Sequence, residues 1–371
     1  MTIFSHMSAL ALEHGAINLA QGFPDFPMDE TLAHFVTEAM QSGANQYAPM
    51  AGLPLFQEAI AAKIHRDYGV AVNSWEEITI TPGATYALYV AAQSILKRGD
   101  ACIVLEPAYD SYVPAIEAAG AKPVFVPLSA PHFRPDFDRL KKAITPDTKA
   151  LFINTPHNPT GTVWEPEDYA ELAVLLRRHN LYVIADEVYD QIVFEGKKHL
   201  SALQFPEIKE RAFVCFSYGK STHTTGWKIG ACIAPTALTT AYRNLHQYLA
   251  FSVNTPMQAA LAKYLSPEYY APPADLLQPK RDLLNSLLQE TQLKLLQPAA
   301  GTYFQLADYS ALSDLPEKEF AEWLTRTHGV ATIPVSAFYQ DGRNQNLLRF
   351  CFAKKEETLR AAAEKLKGMR G

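Results

Sequence analysis

The chain has 371 residues and 41.2 kDa, enough for two domains, with 48% hydrophobic and 19% charged residues, which excludes disordered, collagen-like and coiled-coil classes. Its 33 basic and 39 acidic side chains leave a net charge of −6 with no block of like charge, so the basic stripe of a nucleic-acid binder is missing. The longest apolar runs, such as Ala87 to Ala92, are far shorter than a membrane span, and the first 22 residues lack any Lys or Arg. The expectation is therefore a cytoplasmic protein with no membrane or nucleic-acid partner, in which Cys102, Cys215, Cys232 and Cys351 are buried free thiols.

In chain order, residues 1–30 are rich in turn formers around Gly22-Phe23-Pro24-Asp25. From about residue 76, short β-branched runs alternate with helical stretches, the pattern of a parallel sheet covered by helices. Seven strands are predicted: Ile78–Thr81, Ala101–Leu105, Pro123–Val126, Ala150–Asn154, Leu181–Ala185, Ala212–Ser217 and Ile229–Ala234. Helices are predicted after Pro82, after Tyr109, across Pro166–Arg178 and from Thr236 to about Leu265. The last two strands are too close for a parallel crossover, so one of them is expected to run antiparallel. After Pro272 a helix, a strand pair near Gly301–Phe304 and Leu347–Phe352, and a closing helix make an α+β unit. The expected class is α/β, a large domain over residues 31–275 with a mostly parallel seven-stranded sheet, and a small domain built from 1–30 and 276–371.

Ligands of open α/β sheets sit at the carboxyl ends of the strands, so the residues just past each run are the candidates for chemistry. Gly83, Ala84 and Thr85 follow the first strand and open a helix, where free N–H groups and the helix dipole favour a phosphate; an ordinary strand-to-helix turn uses the same residues. Asp186 ends the fifth run, where a buried carboxylate calls for a cationic partner. Ser217 and Lys220 follow the sixth, with Lys228 eight residues on. A lysine there could be an ion-pair donor, a phosphate ligand or an amine nucleophile. Gly219-Lys220-Ser221 imitates the end of a P-loop, but Val214 stands where its first glycine is required. A cofactor with a phosphate, a basic ring nitrogen and an aldehyde gives each strand end a task, and pyridoxal 5′-phosphate has all three. No metal ligand is assigned.

At this point the chain resembles the fold-type-I, class I/II aminotransferases over nearly its whole length. The resemblance is carried by Asn45-Gln46-Tyr47, Gly83-Ala84-Thr85, Asn154 to Gly161, Ala185 to Tyr189, Ser217 to Lys220 with Thr225 to Lys228, and Arg349-Phe350. Gln21 to Phe26, Tyr109 to Tyr112 and His246 to Pro256 are similar to the bacterial methionine transaminase branch, neighbour to kynurenine and glutamine transaminases. The resemblance implies that Lys220 binds the cofactor aldehyde, Asp186 keeps its ring nitrogen protonated, and Tyr109 stacks on the ring. It further implies that Asn158 and Tyr189 hydrogen-bond the phenolic oxygen and that Arg349 clamps the substrate α-carboxylate; Gly22, Phe23, Asn158 and Tyr109 are the other substrate-binding candidates, and Phe23, Tyr109 and Phe338 suggest an apolar or sulfur-containing side chain, though each could be simple core. Tyr47 would reach the phosphate of a neighbouring subunit, which implies a homodimer. His223, Thr224 and Lys228 depart from the commoner family signature and leave substrate preference open. The implied reaction is ping-pong transamination of an apolar or sulfur-containing amino acid, methionine first and aromatic amino acids next, with a 2-oxo acid acceptor. A pyridoxal-phosphate C–S lyase and a noncatalytic transferase-like binding module are the alternatives.

Overall fold

The computed structural model describes residues 2–369. Its centre is a seven-stranded sheet in the order Ile78–Thr81, Gly230–Ile233, Ala212–Ser217, Tyr182–Asp186, Thr148–Asn154, Ala101–Glu106 and Lys122–Pro127. All run parallel except Gly230–Ile233, which is antiparallel to both neighbours, as its short connection requires. All seven predicted strands are present, with ends displaced by at most two residues, the widest gap being Thr148 against Ala150.

Both faces of the sheet are covered, which is why its strands are apolar at nearly every position. On one face Ile103, Leu151, Val183 and Val214 join one apolar core; on the other Val104, Phe152, Ile184 and Phe213 join a second. The four cysteines are buried and unpaired.

The stretch predicted as one helix from Thr236 to Leu265 is two, Thr236–Leu249 and Thr255–Tyr264. The break is stabilised by local polar contacts: Phe251 takes a positive φ of 61°, the Asn254 side chain caps the second helix by accepting from Met257 N, and Pro256 occupies its first turn. Ser252 and Thr255 hydroxyls donate to the carbonyls of Ala48 (2.9 Å) and Gln46 (2.6 Å), tying the break to the loop that carries Tyr47.

Residues from the two chain ends share a third core. Ile17–Asn18 pairs in parallel with Val330–Ala331, while Phe304–Asp308 lies antiparallel between Leu347–Cys351 and Lys294–Leu295. Met7, Leu10 and Leu19 pack there with Leu284, Leu359 and Leu366. No helix among the described residues is long and apolar enough to cross a membrane.

Candidate active site

The carboxyl ends of the strands surround a cavity of ≈ 140 Å³. At one end Gly83 joins the strand Ile78–Thr81 to the helix Ala84–Ile95 with φ 84°, a conformation that disfavours any side chain. A Cβ on Gly83 would also meet Lys228 Cε and Nζ, each at 3.1 Å. On the neighbouring strand a Cβ at Gly230 would strike Phe216 O at 2.7 Å and Ala84 N at 2.9 Å. Two glycines thus let the helix start, the adjacent strand and a lysine meet around one small space. Thr85, Ser217, Thr225 and Lys228 complete its wall. Helix-start N–H groups, hydroxyls and an ammonium gathered on one small space make a cradle suited to an anion.

Asp186 ends the central strand, 3% exposed. Its Oδ2 accepts from the Tyr112 hydroxyl (2.5 Å) and its Oδ1 from Val188 N (3.3 Å). Burial pushes its carboxyl up to about 6, against the pull of these donors and of Lys220. Lys220 lies on the short helix Tyr218–Ser221. Its Nζ donates to the Tyr303 hydroxyl oxygen (2.9 Å) and to Gly22 O (3.3 Å), both neutral. Burial of the amine lowers it to about 8, while Arg349 and then Lys228 add smaller downward pushes.

Arg349, 1% exposed, sits in the strand Leu347–Cys351. Its guanidinium lies 3.8 Å from the ring centre of Phe304, 5.2 Å from Phe338 and 5.3 Å from Phe4. Its Nη1 donates to Asn158 Oδ1 (2.6 Å) and its Nη2 to Ala20 O (3.0 Å), leaving Nε buried without a partner. Burial lowers it to about 10, so it stays charged at neutral pH. Asn158 N donates to Asn154 Oδ1 (2.9 Å) and Asn154 Nδ2 to Asp186 O (2.8 Å), which links the arginine to the carboxylate strand. Tyr109 and Tyr189 line the cavity between these groups, their phenols pushed up by burial.

Ten of the residues singled out in the sequence therefore line one cavity: Gly83, Ala84, Thr85, Tyr109, Asn158, Asp186, Tyr189, Ser217, Lys220 and Lys228. Arg349 adjoins it through Asn158, and Gly22 through its carbonyl. Phe23 is 45% exposed, with the Lys354 ammonium 5.0 Å from its ring centre. Tyr47 is 82% exposed in a separate groove beside Phe251. His223 is half-buried beside Phe26, and burial lowers its imidazole to about 4. Tyr112, Asn154 and Thr225 lay inside the quoted motifs without a role; Tyr303, Phe304 and Phe4 had no local signal linking them to residues 220 and 349.

Residues 14–366 match the family model described as aminotransferase class I and II. The chain is 48% identical to methionine aminotransferase of Escherichia coli, covering 99% of this chain and 95% of that one. It is 33% identical to human kynurenine–oxoglutarate transaminase 1, covering 96% and 93%. Among solved structures, YbdL of Escherichia coli, described with a methionine aminotransferase function, superposes with a TM-score of 0.96 at 47% identity, covering 100% and 97%. N-succinyldiaminopimelate aminotransferase of Mycobacterium tuberculosis superposes with a TM-score of 0.94 at 38% identity, covering 99% and 97%.

Proposed function

The chain belongs to the class I and II aminotransferases, and from that premise we propose that it transfers the amino group of an apolar or sulfur-containing amino acid, methionine above all, to a 2-oxo acid, with pyridoxal 5′-phosphate as resident cofactor. The observation that carries this reading is an enclosed amine and an enclosed cation with only neutral partners: Lys220, its charged form disfavoured by burial, and beyond Asn158 the Arg349 guanidinium with its open Nε. Buried charge without a counter-ion is costly, so the guanidinium awaits a carboxylate, while the amine, eased toward its neutral form, is suited to bond an aldehyde. The methionine preference rests on the Escherichia coli relative and on the aromatic rings of Phe4, Phe304 and Phe338 around Arg349, which suit a thioether or an aromatic side chain.

The residues fit the cofactor. The cradle that a Cβ on Gly83 would fill suits its phosphate, with Ala84, Thr85, Ser217 and Lys228 as ligands. Asp186 would face the ring nitrogen, Tyr109 the ring, Asn158 and Tyr189 the phenolic oxygen, and Lys220 would hold the group covalently through its aldehyde. When bound, pyridoxal phosphate supplies an electron sink for the charge left on the substrate α-carbon. Arg349 binds the substrate carboxylate through two parallel hydrogen bonds and sets the α-hydrogen toward Lys220. Neutral Lys220 takes that proton on Nζ, and in the second half-reaction returns a proton to the α-carbon of the acceptor. An amine lowered to about 8 is suited to both duties near neutral pH.

The same reading divides the chain into a large domain, 31–275, and a small one from 1–30 and 276–371. It makes the protein a cytoplasmic homodimer in which Tyr47 of one protomer reaches the cradle of its partner. Supporting the dimer, Tyr47, Tyr248, Leu249 and Phe251 are exposed at 82%, 89%, 57% and 47%, an apolar surface that association would cover.

A panel of amino donors and 2-oxo acids tests the proposal. The expected result is parallel double-reciprocal lines, kcat/KM highest for methionine, and 2-oxo acid release that requires an acceptor. Thiol or ammonia release without an acceptor identifies a C–S lyase instead. Lys220→Ala should lower kcat by at least about 1000-fold; wild-type turnover in that variant removes Lys220 from the chemistry.

A further inference from the structure

Tyr303 has no part in the roles assigned above, yet it makes the shortest polar contact of the Lys220 amine. Its hydroxyl donates its single proton to Gly22 O at 2.6 Å, so toward Lys220 Nζ, 2.9 Å away, it can only accept. Gly22 O is also the second acceptor for that amine, at 3.3 Å. We infer that Tyr303 is the positioning residue of Lys220: together with Gly22 O it engages both N–H bonds of the neutral amine and leaves the nitrogen lone pair facing the cavity. The inference rests on the reading that Lys220 moves the α-proton.

The geometry of Tyr303 is itself tightly determined. The residue is 1% exposed and its ring meets that of Tyr189 edge-on, centroids 5.2 Å apart at 89°. It follows Thr302, held at φ 66°, and Gly301, where a Cβ would strike Ile192 O at 2.9 Å and Pro156 Cβ at 2.8 Å. Burial holds the phenol well above its ordinary range, so it keeps the proton it gives to Gly22. Asp186, the carboxylate of the cavity, already accepts from Tyr112 and Val188 N. Tyr303 therefore orders the amine without supplying an anion that would hold it as the ammonium, which leaves it free to act as a base.

Tyr303→Phe removes the hydroxyl and keeps the ring. Two readouts are needed, because lost activity alone would also follow from a structural defect. In the cofactor-free full chain, trace acetylation of Lys220 by acetic anhydride across pH, read by peptide mass spectrometry, gives the amine's midpoint. The variant's midpoint should fall by roughly one pH unit, since the ammonium loses an acceptor. In the loaded enzyme kcat should fall about 10-fold with donor KM within about two-fold, although more of the amine is neutral; this separates orientation from basicity. An unchanged midpoint in a variant that melts like wild type overturns the inference, whatever its activity. That outcome leaves the transaminase reading intact, because that reading fails only with Lys220→Ala or the donor panel.

Discussion

The two ends of the cavity are suited to anions by opposite means. At the cradle, Gly83, Ala84, Ser217 and Lys228 come from three strands adjacent in the sheet, and much of the binding surface is backbone. At Arg349 the charge is one side chain, enclosed by Phe4, Ala20, Asn158, Phe304 and Phe338 from segments scattered along the chain. The cradle is stiff because a sheet holds it, and its field comes from peptide dipoles and a lysine. The arginine end depends on low polarity around a fixed planar fork, so its strength varies with how well its aromatic walls close.

Substitutions at each end should separate the two. Arg349→Lys replaces a fork that makes two parallel bonds with a point charge; kcat/KM for the donor should fall about 100-fold, with cofactor affinity unchanged. Equal losses in both quantities would show that the ends are not independent. Gly83→Ala introduces strain at φ 84° and crowds Lys228. Titration of the cofactor-free chain with pyridoxal phosphate should then show about 10-fold weaker binding, with donor KM in the saturated enzyme unchanged.

The smallest effect concerns the amine between the ends. Lys220 is lowered from its ordinary 10.5 to about 8 in the folded chain, so burying its charge destabilises the fold fully below about 8 and progressively less as pH rises toward 10.5. Lys220→Met should therefore melt a few degrees above the cofactor-free wild type at pH 7, and the difference should shrink between pH 8 and 10. A difference constant with pH would assign the gain to packing instead.

The same contrast explains what was legible in the sequence. Gly83, Ala84, Asp186 and Ser217 sit at the ends of apolar runs or within three positions of them, and Lys228 stands immediately before one, so the strand pattern pointed to them. Arg349 was reached only through a motif resemblance, because its walls lie up to 345 residues away, at Phe4. Tyr303 was missed for that reason: its partners at 22 and 220 share no local pattern with it. At Gly22 the backbone itself makes the close approach, since a Cβ there would meet Phe304 Cζ at 2.8 Å, while the neighbouring Phe23 stays 45% exposed in the single chain. The break after Leu249 escaped because Phe251, not glycine, takes the positive φ, although Asn254-Thr255-Pro256 spells a helix start.

Arg349 donates to Ala20, a contact spanning 329 positions. A ribosome must therefore have passed the codon for that arginine, and released it from its exit tunnel, before the arginine end can close. Until then the growing polypeptide can shape the cradle from strands already made, but the guanidinium has no wall to sit against.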